Sequence, residues 1–384
     1  MSERKLRIAG ALVGDMQNDP NAKIKYGHFF DALEKHFCLV EVFDANLYGL
    51  QRYLNALRSF HPDQQSWRER FYKNVEAFRR RSRRASQHFR QLEGQIDAIV
   101  QVGVMFDARW YIQAPPSVIY VDYTAHLAAQ RPSAGRSPFT PQQRREWLNL
   151  ERNTFIKASH ICTRSDLVRH SIIHDYGLAP EKVTTIGGGV NLAQLPPLKK
   201  RPVTDTPTVL FIGKELYRKG GDILLEAFAR ARQVVPGARL KMLTIGSVPP
   251  HIAEDGIEII SPTWDRQEIA ALYNSADVFV LPSRLETWGD VLLEAMSFGL
   301  PCIGVSGQAM EEIIEHESSG LLVQAENVAA LAEGLVRLLK DADLRQQMGR
   351  EARLHAEKYF TWPDVAERFS QCLEHAALID VRDL

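Results

Sequence analysis

The chain has 384 residues, 45% hydrophobic and 24% charged. That is enough apolar material for two or three packed domains and too much for a disordered chain. Lys+Arg and Asp+Glu both total 47, and a formal net charge of zero argues against a protein that coats nucleic acid by bulk charge. The average hides a split: residues 1–200 carry 29 Lys+Arg against 19 Asp+Glu, net +10, and residues 201–384 carry 18 against 28, net −10. No apolar run approaches the roughly 18 residues of a membrane span, and the N-terminus shows no signal-peptide core. Cys38, Cys162, Cys302 and Cys372 form no CxxC pair, which fits a reducing compartment and argues against a disulfide framework or a zinc ribbon. The cytoplasm is the expected location.

In chain order, the first half gives strand-like runs at Leu6–Val13, Leu39–Phe43, Ala98–Val102, Val118–Val121, His160–Thr163 and Val183–Ile186. A helix is expected over His28–His36, with Gly27 just before it. A long helix is expected over Trp67–Leu92, where Trp67, Phe71, Val75, Phe78, Ala85, Phe89 and Leu92 recur at three- and four-residue spacing. Its other face carries Arg79, Arg80, Arg81, Arg83 and Arg84, read as a solvated face, a contact for anionic lipid headgroups, or a site for an acidic acceptor. The segment Leu195–Pro207, with four prolines and a charge cluster, predicts a stiff linker over 196–207 between domains at 1–195 and 208–362.

The second half alternates more cleanly. Strands are expected at Thr208–Gly213, Arg239–Gly246, Ile257–Ile260, Asp277–Leu281, Pro301–Val305 and Gly320–Val323. Helices are expected at Gly221–Val234, Asp265–Asn274, Gly289–Phe298, Met310–Glu317 and Val328–Leu339. This spacing predicts βαβ units in a doubly wound parallel sheet, and both halves should aim their binding loops into a cleft at the strand carboxyl ends.

The densest chemical signal is Leu281–Pro301. Glu286 falls in a strand-to-helix loop, Trp288 and Gly289 follow it, Asp290 opens a helix and Glu294 lies in its second turn. The free N–H groups of a first helical turn attract an anion, and two carboxylates beside it can accept hydrogen bonds from sugar hydroxyls. Gly213–Gly221 follows another strand and carries Lys214 and Lys219 among its glycines, which suits a diphosphate. Gly187-Gly188-Gly189 reads equally as a phosphate loop or a flexible turn.

These residues resemble the retaining GT-B glycosyltransferases of family 4 (glycosyl transferases group 1). The family's Glu–seven residues–Glu pattern corresponds to Glu286 and Glu294, and its aromatic-Gly pair to Trp288-Gly289. The resemblance implies two Rossmann-like doubly wound parallel-sheet domains facing across a cleft, with the segment 363–384 crossing back onto the first domain. It implies transfer of a hexosyl unit from a UDP- or GDP-linked sugar to a glycan, lipid-linked or small-molecule acceptor. Glu286 would contact the transferred sugar, Glu294 the ribose, and Lys214 and Lys219 the diphosphate. Lys214 stands where relatives more often have Arg, which keeps the charge and loses the bidentate fork. The loop around Thr263 would meet the base. Gly27 stands in place of the usual glycine pair and would close on the diphosphate. Asp122 matches the family's acceptor-side His by position and His126 is a second candidate, each orienting the acceptor or sensing charge at the sugar. The implied partners are a nucleotide-sugar donor, an acceptor and peripheral contact with an anionic membrane, without nucleic acid. No cofactor or metal is expected: Asp341-Ala342-Asp343 imitates a metal-binding DxD but falls between two helical patterns, where Asp serves as an N-cap. The rival readings are a nucleotide-sugar epimerase or phosphorylase, and a non-catalytic nucleotide-sugar or glycan binder.

Overall fold

The computed structural model describes residues 5–111, 115–131, 137–198, 204–252 and 254–380. The chain divides into two compact units, Met1–Gly188 with Trp362–Leu384, and Gly189–Thr361. Part of the predicted linker, 199–203, lies outside the described residues.

The first unit runs β1 (Arg7–Leu12), α1 (Pro20–Leu33), β2 (Cys38–Asp44), α2 (Gly49–Arg58), α3 (Gln64–Tyr72), α4 (Val75–Gln91), β3 (Ala98–Val102), β4 (Ser117–Val121), α5 (Ala125–Gln130), α6 (Pro141–Lys157), β5 (His160–Thr163), α7 (Asp166–His174) and β6 (Val183–Thr185). Its sheet is parallel throughout, in the order β2-β1-β3-β4-β5-β6. Every residue of β3, β4 and β5 is buried, as a parallel sheet covered on both faces requires.

Three expectations for this unit change. Helix α1 begins at Pro20, eight residues before the expected start. The Asp15 carboxylate accepts the backbone N–H groups of Gln17 and Asn18 at 2.9 Å each, which turns the chain into a helix opened by proline. Gly27 therefore sits inside α1, and a Cβ there would meet only side-chain atoms at ordinary contact distance, Lys23 Cγ at 3.5 Å and Met16 Cε at 3.9 Å, so it is neither a helix-entry residue nor a close backbone approach. The long helix over 67–92 is two helices. Asn74 breaks it, its side chain accepting the Ala77 N–H at 2.8 Å as the N-cap of α4.

The arginine face is the third. Arg81 is fully buried, donates to the Tyr72 carbonyl at 2.7 Å, and burial pulls its pKa down to about 10. Arg84 donates to the Asp44 and Asn46 carbonyls and stacks over Phe43 and Tyr48. Arg79 pairs with Glu146 and Arg80 with Glu76. Arg81 and Arg84 are used inside the fold, because α4 is packed on a second side that the stripe of Phe78, Ala85 and Phe89 does not reveal, whereas Arg79 and Arg80 are part-exposed members of ion pairs and Arg83 is exposed.

The second unit runs β7 (Thr208–Glu215), α8 (Gly221–Val234), β8 (Arg239–Ile245), β9 (Ile257–Ile260), α9 (Arg266–Asn274), β10 (Val278–Val280), α10 (Asp290–Ser297), β11 (Cys302–Val305), β12 (Gly320–Val323), α11 (Val328–Lys340) and α12 (Ala342–Tyr359). Its sheet is again parallel, in the order β12-β11-β10-β7-β8-β9. The helix expected over Met310–Glu317 is a single 3-10 turn, Ala309–Glu312. Asp341 accepts the Leu344 N–H at 2.9 Å and caps α12.

The chain then returns to the first unit as α13 (Trp362–Asp380). Val365, Ala366, Phe369 and Leu373 are fully buried. Phe369 meets Phe29 edge-on at 5.4 Å, and Phe29 stacks on Tyr120 at 4.5 Å. Arg368 donates to the Ile186 carbonyl at 2.8 Å. This division softens the charge split. The first unit holds 29 Lys+Arg and 24 Asp+Glu and the second 18 and 23, so the imbalance is +5 against −5. The acidic tail belongs with the basic unit, and Lys199 and Lys200 belong with the acidic one. Among the described residues, no helix is long and apolar enough to cross a membrane.

Candidate active site

Two loops at the carboxyl ends of β7 and β10 are pressed together in the second unit. Gly220 caps α8 with φ +71, and a Cβ on it would lie 1.9 Å from the Pro282 carbonyl oxygen. Only glycine permits both that conformation and that approach. Arg284 completes the clamp. Its guanidinium makes a bidentate pair with Asp222, 2.7 Å at each oxygen, stacks on the Tyr217 ring at 3.8 Å and donates to the Tyr217 carbonyl. Its own backbone N–H donates to the Arg218 carbonyl at 3.1 Å. The hydrogen bond with Asp222 raises the Arg284 pKa, so the clamp is permanently charged.

The clamp brings Lys219 to Glu286. Lys219 Nζ donates to Glu286 Oε2, which also accepts from Ser283 Oγ at 3.1 Å. Gln308 fixes the Glu286 loop from below: its Oε1 accepts the Glu286 backbone N–H, and its Nε2 donates to the Ser283 and Arg284 carbonyls at 3.1 and 3.2 Å. Gln308, Ser283 and Arg284 were missed by sequence reasoning. Gln308 follows Glu286 by 22 residues with no motif linking them.

Glu294, on the buried face of α10, is held at both oxygens. Arg266 Nη2 donates to Oε1 at 3.0 Å and Tyr273 OH to Oε2 at 3.1 Å. Burial raises the Glu294 pKa while Arg266 pulls the other way. Arg266 also donates to the Asn191 carbonyl at 3.2 Å, so α9 and the Asn191 segment both position the second glutamate. Arg266 and Tyr273 carry no sequence signal of their own; their spacing on α9 is that of ordinary helix-packing residues.

The remaining donor-side candidates are placed unequally. Gly289 caps α10 with φ +151, and Asp290 opens the helix. Trp288 is buried in the core, edge-on to Phe360 at 6.0 Å. Lys214 lies exposed within β7. Thr263 Oγ1 accepts the Asp265 N–H at 3.0 Å in the loop that leads into α9, beside the exposed Trp264.

In the first unit, Asp122 follows β4 and lies in a concavity with Lys25, Tyr26, Tyr120, Arg164 and Trp362. Burial alone would raise its pKa, but Lys25 at 3.6 Å and Arg164 at 3.9 Å bring it below the ordinary carboxylate range. Arg164 is buried between the rings of Tyr120 and Trp362. His126 points elsewhere. Its Nδ1 pairs with Asp175 Oδ2 at 2.9 Å at the end of α7, and its ring meets Tyr176 edge-on. Tyr176 OH donates to the buried Glu151, whose pKa is pushed by burial up to about 7. Asp122 and His126 are therefore not partners. Gly27, inside α1, joins neither group.

Residues 198–355 match the model of Glycosyl transferases group 1, so the unit that holds Lys219, Glu286 and Glu294 carries a glycosyltransferase domain. The chain is 27% identical to a D-inositol 3-phosphate glycosyltransferase of Saccharomonospora viridis over 286 residues, 68% of this chain and 64% of that protein. It thus spans less than two thirds of that relative's length. It is 28% identical to a glycogen synthase of Mycobacterium tuberculosis over 232 residues, 59% of this chain and 55% of that protein. Among solved structures, sucrose-phosphate synthase of Thermosynechococcus elongatus superposes with a TM-score of 0.69 at 18% identity, covering 97% of this chain and 99% of that one. Anabaena HepE in complex with UDP-glucose superposes with a TM-score of 0.63 at 15% identity, covering 96% and 100%. Two Rossmann-like parallel-sheet units of this kind are the GT-B fold.

Proposed function

We propose that this chain is a retaining GT-B glycosyltransferase of family 4 that moves a hexosyl unit from a UDP- or GDP-linked sugar to an acceptor bearing a negative charge. The observation that carries the reading is the Lys219–Glu286 contact held at the clamped loop ends. A diphosphate arriving at Lys219 competes for the ammonium and releases Glu286 toward the sugar, so one cation serves first the carboxylate and then the leaving group. The α10 N-terminus and its Gly289 cap supply further N–H donors to the anion. Glu294, fixed by Arg266 and Tyr273, offers the ribose a carboxylate whose position is set before the donor binds. The Thr263 loop takes the base through its backbone.

Transfer on the front face needs no protein nucleophile. The bond from the anomeric carbon to the diphosphate oxygen breaks, the acceptor hydroxyl oxygen bonds to that carbon, and its proton passes to the departing phosphate. Glu286 and the local donors stabilise the charge that develops at the sugar. In the first unit, Arg164 and Lys25 around Asp122 favour an acceptor carrying a phosphate or carboxylate, and the Saccharomonospora relative is named for a phosphorylated acceptor. No metal ion is required by this scheme, because Lys219 and helix N–H groups neutralise the diphosphate.

The test is incubation of the protein with UDP- and GDP-sugars, with and without phosphorylated polyol acceptors, in EDTA. Sugar transfer with retained anomeric configuration is expected. Isomerisation or phosphorolysis of the donor, or tight binding without turnover, would replace this reading by one of its rivals.

A further inference from the structure

Strand β5 turns its two faces to different neighbours. Ile161 packs with Phe155, Val168 and Tyr176, so His160 and Cys162, one residue to either side, point to the opposite face. There α13 lies against the sheet, and Cys162 shares a core cluster with Val365, Phe369 and Leu373. Cys372, beside that apolar stripe, completes a group of three metal-ligating side chains. A ring nitrogen of His160 and the sulfurs of Cys162 and Cys372 all lie within 4.8 Å of one another. His160 and Cys162 are buried, while Cys372 is half-buried and leaves a way in from solvent. The neighbouring strand β6 adds Thr184, paired in register with Cys162, and its Oγ1 lies 2.9 Å from His160 Nε2.

The donor set decides what fits. Two sulfurs and an imidazole suit a thiophilic cation such as zinc, whereas magnesium and calcium take oxygen ligands. Donor atoms around a tetrahedral zinc ion stand about 3.5–3.8 Å apart, so small side-chain rotations close the group. We propose that His160, Cys162 and Cys372 form a zinc site that pins the last helix to β5, with water in the fourth position. As the two metal–sulfur bonds form, each thiol gives its proton to solvent, His160 binds as the neutral ring, and no electron is transferred. Thr184 steadies that ring. Hydrogen bonding from Cys162, joined by His160 and Thr184, brings the Cys372 thiol below its ordinary range against the effect of burial, which favours the thiolate a metal needs. The two cysteines come from a middle strand and the last helix, so no local spacing in the sequence announces the site. It shares no residue with the Asp122 concavity and does not depend on sugar transfer.

The experiment strips the full chain with EDTA, removes the chelator, keeps the cysteines reduced with a thiol-free phosphine, and titrates Co²⁺ as a spectroscopic substitute for zinc. Wild type should show sulfur-to-cobalt charge transfer with the ligand-field bands of a tetrahedral site, and Zn²⁺ should displace the cobalt. Cys372→Ser should weaken cobalt binding by about 100-fold or more, since a lost ligand costs at least as much as a lost outer-shell partner. Cys38→Ser, on an exposed cysteine outside the group, should leave the spectrum unchanged. Zinc at about 100 times its Kd should raise the unfolding temperature of the first unit by about 5–10 °C in wild type and not in Cys372→Ser. Absence of sulfur charge transfer in the reduced wild type, or its full retention in both Cys372→Ser and Cys162→Ala, overturns the proposal. Cobalt bound without sulfur charge transfer overturns it in favour of surface histidines such as His170 and His174, whose rings lie 4.0 Å apart. A Cys162–Cys372 disulfide formed in air by a chain that takes up no metal when reduced overturns it in favour of a redox link.

Discussion

At the scale of single residues, the two glutamates are held by different means and should fail differently when changed. In the proposed reaction Glu286 is held by a cation that the donor also needs, so Glu286→Gln should lower kcat about 100-fold with little change in donor KM, whereas Lys219→Met should chiefly raise donor KM. Steady-state kinetics with varied donor separates the two, and equal effects on both constants in both variants would refute shared use of the ammonium. A second expectation concerns Glu151. Its folded pKa of about 7 stands above the 4.5 of the free side chain. The folded state therefore binds the proton more tightly, and the associated stability is full below about pH 4.5 and lost as pH rises through about 7. Glu151→Gln should flatten this dependence, which amounts to up to about 3 kcal/mol. Chemical denaturation between pH 5 and 8 reads it directly.

The residue scale also shows where a sequence is legible. Glu286, Glu294 and Lys219 sit on loops and helix starts, where a local pattern fixes both the backbone and the side chain, so a short motif suffices to mark them as candidates. Gln308, Arg266, Tyr273 and Arg284 support them from other elements. Their roles exist only after the sheet has formed, and nothing near them in the sequence marks them. Trp288 shows the converse: the motif carries an aromatic residue, and in this chain its ring is also part of the core against Phe360.

At the scale of elements, the contact of the β7–α8 loop with the β10–α10 loop depends on one missing methyl group. Gly220→Ala would place Cβ against the Pro282 carbonyl and strain a φ of +71, moving the Lys219 loop off the Glu286 loop. A displacement of about 1 Å at reacting groups costs about 100-fold in rate, so kcat/KM should fall by that order. Differential scanning calorimetry should show a much smaller relative loss in stability. Unchanged kcat/KM would show that the clamp is structural only. The strands were readable almost to the residue because parallel strands are apolar on both faces and bounded by turn residues. Helices were less so. The break at Asn74 was hidden by a stripe that keeps its period across the break, and the start at Pro20 by a loop that carries its own hydrogen bonds.

At the scale of the whole molecule, the first unit is incomplete without the last helix. Phe369 is fully buried against Phe29, so Phe369→Ala should destabilise that unit by about 3–5 kcal/mol. A chain ending at Thr361 should lose protection of β1, β3 and β4 in hydrogen exchange while the second unit keeps its own. Retention of protection in β4 would show that α13 is dispensable. The charge imbalance that first seemed to divide the chain at residue 200 is a smaller one, because the boundary follows packing rather than sequence order.

The return of α13 also sets a schedule for synthesis. The strands of the first unit emerge by residue 188, but the helix that covers Phe29 and Tyr120 is made only after the whole second unit. At a translation rate of about 5–20 residues per second, the intervening 173 residues take on the order of 10–35 seconds. Through that interval one aromatic face of the first unit waits uncovered, whereas the second unit, continuous in sequence, closes as soon as it is made. The half of the protein made first finishes last, and the nascent chain offers a chaperone a defined target at a defined length.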